Sequence, residues 1–109
     1  MKIYTYSEIK KFARQIANKK LKETRETLIR QDDTGYSVAH ELAYNSDIIE
    51  WETSEKDILM MQDKDGYSVA HWLSFAHPTW TTDDPEILSL YTPEWEETVE
   101  DFLVQREKI

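Results

Sequence analysis

The sequence predicts an all-α fold, a short stack of helix-turn-helix repeats with a helical cap at each end. Three observations support it: one segment is nearly duplicated, apolar residues recur at helical spacing, and no stretch has the alternation of a convincing β-strand. A chain of 109 residues suits a single domain with a modest core. We expect this domain to span residues 1–109, with a basic helical cap (1–30), two repeats (31–61 and 62–91), and a degraded C-terminal repeat or capping helix (92–109).

The first thirty residues have the pattern of a helical cap. Residues 5–8, Thr-Tyr-Ser-Glu, can start a helix, and apolar residues follow at positions i, i+3, i+4, i+7 and i+8. These residues are Ile9, Phe12, Ala13, Ile16 and Ala17. Asn18 can end this helix before a second one that carries Leu21, Leu28 and Ile29. Equally, one helix can run over residues 7–30, and the sequence leaves both alternatives open.

Residues 31–43 and 62–74 are near duplicates. They read QDDTGYSVAHELA and QDKDGYSVAHWLS, with nine of 13 positions identical and no gap. The only two glycines of the chain, Gly35 and Gly66, occupy the same position in the two copies. Asp-x-x-Gly predicts a tight turn, because glycine adopts positive φ without strain.

Each duplicated turn leads into a predicted helix. Ser37 and Ser68 stand where a hydroxyl can cap free helix amides, and apolar residues follow at helical spacing. These are Val38, Ala39, Leu42 and Ala43 in the first copy, and Val69, Ala70, Leu73 and Ala76 in the second. A second short helix follows in each copy, since residues 54–57 resemble a capping box and Asp84 precedes Pro85. Its buried residues would be Ile58, Leu59 and Met61, and Ile87, Leu88 and Leu90.

A degraded third copy follows the duplicate. Thr98 and Val99 take the places of the Ser-Val pair, and Asp101 takes the place of the histidine. We expect Thr-Pro at residues 92–93 to start the last helix, with Trp95, Val99, Phe102 and Leu103 on it. A terminal repeat is expected to differ, because its outer face contacts solvent.

The repeated turn and helix start resemble the ankyrin repeat. The core of that family reads Asp-x-x-Gly-x-Thr-Pro-Leu-His-x-Ala-Ala and recurs every 33 residues. The first copy matches it at Asp32, Gly35, Ser37, His40 and Ala43, and the second copy matches it at Asp63, Gly66, Ser68 and His71. Val-Ala replaces Pro-Leu, and Gly-Tyr-Ser-Val-Ala-His is similar to degenerate ankyrin-like repeats of small bacterial and phage proteins. The resemblance covers residues 31–90 and implies a stacked helical fold with a protein-binding surface.

The duplicated Ser–His pairs are the first candidates for chemistry. The resemblance implies a structural role for Ser37/His40 and Ser68/His71, which would hydrogen-bond around the turn and helix start. The alternative is a small hydrolase with Ser68 as nucleophile and His71 as base, but no nucleophile-elbow motif accompanies them. The chain has no Cys, and His71 with His77 lacks zinc-site spacing. We therefore expect no catalytic residues, no metal site and no cofactor.

Charge is distributed unevenly along the chain, whose net charge is −9. Residues 1–30 carry +6 and residues 31–109 carry −15. An acidic body repels nucleic acid, so we do not expect nucleic-acid binding despite the basic segment. The acidic residues form either a solvated face or a docking surface for a basic protein. An acidic mimic of nucleic acid, which blocks a DNA- or RNA-binding enzyme, is an alternative function. The basic segment is either solvated or lies against the acidic body or against a second copy of the chain, so a homodimer stays open.

Aromatic side chains give the strongest indication of binding. Two positions that point outward in the resembled repeat carry Tyr36 and Glu41 in the first copy, and Tyr67 and Trp72 in the second. Tyr44 of the first copy corresponds to Phe75 of the second. Exposed Tyr and Trp are typical of protein interfaces. The alternative is that a flanking helix covers them. Trp51, Trp80 and Trp95 are expected to pack in the core or against loops.

These observations predict a non-enzymatic protein–protein interaction module. Its six-residue surface would bind a protein partner with a basic or aromatic-accepting surface. Size and resemblance suggest a phage or mobile-element inhibitor of a host defence protein, which would act in the cytoplasm of the bacterial host cell. The longest stretch without charge, residues 66–82, contains His, Ser, Thr and Pro, so no membrane span is expected.

Overall fold

The computed structural model describes residues 3–45, 51–77 and 79–107, which are mostly helical. Positions 1–2, 46–50, 78 and 108–109, which the predicted segments include, lie outside the described residues. The elements are α1 (Tyr6–Ala17), α2 (Arg25–Leu28), α3 (Val38–Tyr44), α4 (Lys56–Leu59), α5 (Val69–Ala76), α6 (Pro85–Leu88), β1 (Tyr91–Thr92), β2 (Glu97–Thr98) and α7 (Val99–Glu107).

The longer helices form a row. Helix α3 packs between α1 and α5, and α5 packs in turn against α7. The short helices α2, α4 and α6 lie beside α3, α5 and α7, respectively. The core runs along this row and includes the predicted apolar positions Ile9, Ala13, Val38, Ala39, Leu42, Val69, Ala70, Leu73 and Val99.

The N-terminal segment contains two helices and not one. Helix α1 starts with a capping box, in which the Thr5 hydroxyl accepts from the Glu8 N–H (3.1 Å) and the Glu8 carboxylate accepts from the Thr5 N–H (3.0 Å). It ends at Asn18, and Lys19 follows with φ of 61°. A left-handed residue interrupts an α-helix. Thr24 then caps α2 separately.

The two duplicated turns have the same backbone conformation. Gly35 and Gly66 have φ of 83° and 86°. In each turn the carboxylate of Asp32 or Asp63 accepts the backbone N–H four residues later, at 3.1 Å and 3.0 Å. Sequence identity in the duplicate therefore corresponds to structural identity.

Neighbouring turns are joined directly to one another. Between the first and second, the Lys64 N–H donates to the Thr34 carbonyl at 2.8 Å. Between the second and third, the Thr92 hydroxyl donates to the Asp65 carbonyl at 3.0 Å. The turns consequently form a continuous edge alongside the helix row.

The third turn keeps the backbone connection of the other two but is one residue longer. The N–H groups of Val38, Val69 and Val99 donate to the carbonyl just before each turn, at 3.0, 3.2 and 3.1 Å. The Thr98 N–H donates to the Asp101 carboxylate at 2.9 Å, and the Asp101 N–H donates to the Thr98 hydroxyl at 3.2 Å. Asp101 thus takes the position that histidine has in the duplicate.

The longer third turn overturns three expectations. Residues 91–98 form an antiparallel hairpin, with Tyr91 opposite Thr98 and Thr92 opposite Glu97. This hairpin stands where a helix start was expected at residues 92–93. Because it adds a two-stranded sheet, the fold is not purely α-helical. Trp95 lies at the hairpin tip and is 60% exposed, so it does not pack in the core.

Two predicted helix starts have different outcomes. The Asp84 carboxylate accepts from the Glu86 N–H (3.0 Å) ahead of Pro85, which confirms this cap. Residues 54–57 form no capping box, because α4 begins after Glu55, whose side chain makes no cap bond. Tertiary packing of the apolar side chains of α4 compensates for the missing cap.

The short helices bury apolar residues on one side and pair charges on the other. Ile58, Leu59 and Ile87 are buried, and Met61, Leu88 and Leu90 are half-buried. Arg25 pairs with Asp57 in the next short helix, and Lys56 pairs with Asp84 (3.2 Å) and Glu86 (2.9 Å) at the start of the following one. Exposed pairs of this kind contribute little stability and mainly set relative positions. The predicted core residues Trp51 and Trp80 are also buried.

We expect Gly35→Ala and Gly66→Ala to lower the free energy of unfolding by roughly 1–3 kcal/mol each, because both glycines have positive φ. A Cβ at position 35 would lie 3.1 Å from the Asp63 Cα, and one at position 66 would lie 2.7 Å from the Pro93 Cδ. Urea unfolding measures the change. Asp33→Ala, at an exposed site in the first turn, is the control, and equal stability of all three variants would contradict the expectation.

Candidate functional site

A buried serine–histidine pair connects the first duplicated helix to the next turn. The Ser37 N–H (3.1 Å) and hydroxyl (2.7 Å) approach His40 Nδ1, and the His40 N–H donates to Ser37 Oγ (3.1 Å). Because a backbone N–H can only donate, Nδ1 accepts, and the proton of the neutral ring is on Nε2. That Nε2–H donates to the Tyr67 carbonyl at 2.9 Å.

The second pair repeats the cap but not the connection. Ser68 and His71 make the same three contacts at 3.0, 2.8 and 3.0 Å. Within the described part of the chain, His71 Nε2 has no hydrogen-bond partner. Both side chains are fully buried, so the Ser68 hydroxyl is not presented to solvent. The arrangement serves to cap the helix.

Burial makes both imidazoles weak bases. Loss of hydration lowers the pKa of His40 to about 4, partly opposed by the backbone carbonyls of Tyr67 and Met61. The same cause lowers the pKa of His71 to about 4, partly opposed by the carbonyls of Glu97 and Leu90. Both rings are therefore neutral at pH 7.

An aromatic groove of about 380 Å³ lies between α5, α7 and the third turn. Its aromatic lining consists of Tyr44, Tyr67, Trp72, Phe75, Trp95 and Phe102. Cavities of this size and apolar character are typical of ligand and side-chain binding sites. We use the name aromatic groove for this set of residues.

Trp72 lies at the centre of the aromatic groove. Its ring stacks on Tyr67, with centroids 4.7 Å apart and an interplanar angle of 25°. Tyr44 and Phe75 meet it edge-on at 4.9 Å and 6.2 Å. Stacked and edge-on pairs hold aromatic rings in defined orientations. The floor of the groove is consequently formed without a ligand.

The rim of the aromatic groove is strongly exposed. Phe75 is 66% exposed, Trp95 is 60% exposed and Tyr44 is 49% exposed. Burying such rings against another molecule removes much apolar surface from water. Adjacent exposed aromatics mark a contact surface better than isolated ones do.

Two polar side chains that line the aromatic groove are engaged within the chain, whereas the buried Trp72 Nε1 has no hydrogen-bond partner among the described residues. Arg106 donates to the carbonyls of His77 (2.9 Å) and Ser74 (3.5 Å), at the end of α5. Gln105 Nε2 donates to the Glu97 carboxylate at 2.7 Å. Arg106 and Gln105 therefore brace α7 against the rest of the fold and leave the aromatic rings as the open surface.

The six residues predicted to bind a partner divide into two groups. Tyr44, Tyr67, Trp72 and Phe75 line the aromatic groove, whereas Tyr36 and Glu41 lie outside it. Tyr44 and Phe75 are strongly exposed, and Trp72 is half-buried.

The prediction that Glu41 and Tyr67 point outward is wrong. Glu41 is 5% exposed and accepts a 2.8 Å hydrogen bond from the hydroxyl of Tyr36. The ring of Tyr6 in α1 contacts the ring of Tyr36 edge-on. Burial and this bond raise the pKa of Tyr36. Tyr67 is 6% exposed because Trp72 covers it. A flanking helix, α1, contacts Tyr36, whereas Tyr67 is covered by a residue of its own repeat.

Several lining residues are not predicted as site residues by the sequence, among them Trp95, Phe102 and Arg106. Trp95 is expected to pack in the core or against loops, Phe102 is expected only on the last helix, and Arg106 has no predicted role. The alignment of the third copy places Phe102 at the position of Trp72, and this signal could have identified it. No comparable signal identifies Trp95, because its exposure depends on the additional residue in the third turn.

A second, more polar cleft of about 940 Å³ lies beside the short helices. Its lining includes Arg25, Lys56 and Asp84, which already form ion pairs. Among residues 3–45, 51–77 and 79–107, no three His, Asp or Glu side chains cluster closely enough to hold a metal ion. The described helices also include none with the length and apolar character needed to cross a membrane.

Comparison with known proteins identifies no relative: no family model, curated protein or solved structure matches this chain. The geometry of the aromatic groove and the sequence pattern are therefore the features from which a function can be proposed.

The buried imidazoles predict a loss of stability in mild acid. Unfolding returns the pKa of each histidine from about 4 to about 6.5, so the unfolded chain binds more protons between these values. The contribution of each ring is fully present above pH 6.5 and falls as the pH decreases towards 4. We expect a decrease of up to about 1.4 kcal/mol per pH unit for each histidine.

Urea unfolding between pH 7 and pH 4 measures this dependence. His71→Gln should reduce the pH dependence of the free energy of unfolding by the contribution of one histidine. The substitution removes no Nε2 hydrogen bond among the described residues. His77→Gln keeps both buried rings and is the control. An unchanged slope in His71→Gln would show that this ring is not neutralised by folding.

Proposed function

We propose that the chain is a protein-binding module, a short stack of ankyrin-like repeats whose contact site is the aromatic groove. The observation that carries the proposal is the presence of two strongly exposed rings, Phe75 and Trp95, on the rim of a preformed aromatic cavity. Aromatic anchors in rigid pockets dominate the energetics of protein interfaces. The repeated turns and caps support the repeat architecture.

The proposed partner presents an apolar or aromatic side chain flanked by Lys or Arg. The rings of the groove favour an apolar anchor, and the exposed Glu94 and Glu96 flank Trp95 in the third turn. Residues 31–109 carry a net charge of −15, which attracts a basic surface and accelerates its association. Both features point to the same kind of protein segment.

The biological role we propose is inhibition. A phage or mobile element would encode the chain to occupy a host defence protein in the bacterial cytoplasm. The support for this role is the sequence resemblance to degenerate ankyrin-like repeats of small bacterial and phage proteins. The aromatic groove supplies the physical means, because a rigid apolar surface can cover a functional site on another protein.

Selection from a random-peptide library tests the proposed contact site. Peptides enriched on the immobilised chain should combine an aromatic or aliphatic residue with Lys or Arg. Phe75→Ala/Trp95→Ala should weaken their binding by roughly tenfold or more, because it removes both rim anchors. Fluorescence polarisation of the labelled peptides measures the dissociation constants.

Tyr91→Ala is the matched control for this experiment. Tyr91 is 48% exposed on the same hairpin but does not line the aromatic groove, so its loss should leave binding unchanged. Equal binding by wild type and the double variant would reject the groove. Binding that disappears at high salt but survives the double variant would favour the acidic nucleic-acid mimic instead.

A further inference from the structure

The two ends of the helix row carry opposite charge. Helix α1 packs on α3 at one end, and α7 packs on α5 at the other. Residues 3–25 contain seven Lys or Arg and two Glu, whereas residues 91–106 contain five acidic residues and one Arg. The longest dimension of the molecule is 37 Å, so these charges are spatially separated.

The basic end is formed by the outer face of α1. Ile9, Ala13 and Ile16 of this helix are buried, which directs Lys11 and Arg14 to the opposite side. Lys10, Lys11 and Arg14 are all exposed. None of these three forms an ion pair with another residue of the described ranges.

The acidic end is formed by α7 and the third turn. Val99 is buried, whereas Glu96, Glu100 and Asp101 are exposed. In the part of the chain that the structure describes, Glu96 and Glu100 form no ion pair. The acidic end therefore presents carboxylates that remain available to a basic surface.

Both ends also expose apolar side chains. At the basic end Ile3 is 65% exposed and Tyr6 is 52% exposed, and at the acidic end Tyr91 is 48% exposed and Val104 is 42% exposed. The terminal units of a repeat array normally present polar outer faces, which prevent further stacking. These ends instead combine apolar area with complementary charge.

We propose that copies of this chain associate head to tail, with the α1 end of one copy on the α7 end of the next. The contact joins two different surfaces, so each added copy leaves one free end of each kind, and short chains can grow. The net charge of −9 does not prevent this contact at physiological salt. The screening length there is about 8 Å, well below the length of the molecule, so the nearest charges dominate.

Sedimentation velocity of the full chain tests the association. We expect the average mass to rise with protein concentration at about 50 mM salt and to return towards the monomer at about 500 mM salt, because screening weakens the ionic contact. A monomeric wild type at every concentration and at low salt would overturn the proposal. Association that is unaffected by salt would overturn the charge complementarity on which it depends.

Two variants then identify the surfaces involved. Lys10→Gln/Lys11→Gln disables the basic end, and Glu96→Gln/Glu100→Gln disables the acidic end. Each alone should weaken association by roughly tenfold or more. A mixture of the two variants should form complexes of two chains and no larger ones. The intact acidic end of one variant binds the intact basic end of the other, and both remaining ends are disabled.

A control and a competing outcome complete the test. Asp33→Asn/Asp83→Asn removes two exposed acidic charges that belong neither to α1 nor to α7 and the third turn, and this variant should associate as the wild type does. Retention of association by both end variants would indicate another interface and overturn the proposal. A monomeric wild type that binds heparin through Lys10 and Lys11 would assign the basic end to an anionic partner instead.

Discussion

A buried, neutral imidazole that bonds in two directions holds the repeated units in register. His40 accepts from the start of its own helix through Nδ1 and donates to the Tyr67 carbonyl of the next turn through Nε2. In a water-free interior such a bond meets no competition from solvent. It positions the second turn, and with it the Tyr67 ring on which Trp72 stacks. The floor of the aromatic groove therefore depends on a hydrogen bond made one unit earlier in the chain.

Features that the sequence contains twice were predictable, because the same residues meet the same local constraints. Positive φ at Gly35 and Gly66 and the serine caps depend on residues within the turn itself. Asp101 could be aligned with the histidines because a carboxylate can accept the same cap hydrogen bond. Helix content and most of the core follow from apolar spacing, which reflects the helical period.

Features that depend on contacts between unlike neighbours were not predictable in this way. Tyr36 and Tyr67 share a position, yet the first bonds Glu41 and the second lies under Trp72, since the partner five residues later differs. One additional residue in the third turn converts an expected helix start into a hairpin. It also places Trp95 at the tip of that hairpin, and apolar periodicity contains no information about this displacement.

The third unit joins the row without a well-formed equivalent of the His40 bond, since among described residues His71 Nε2 has no hydrogen-bond partner and the Glu97 carbonyl only partly opposes the lowering of the His71 pKa. A buried donor without a well-aligned acceptor costs about 1–3 kcal/mol, so this contact stabilises the boundary less than the His40 bond stabilises the one before it. Detachment of the C-terminal unit would carry Trp95 and Phe102 away from Trp72. In the proposed function, binding at the aromatic groove would therefore be coupled thermodynamically to the docking of this C-terminal unit, and a bound partner would protect that unit from hydrogen exchange.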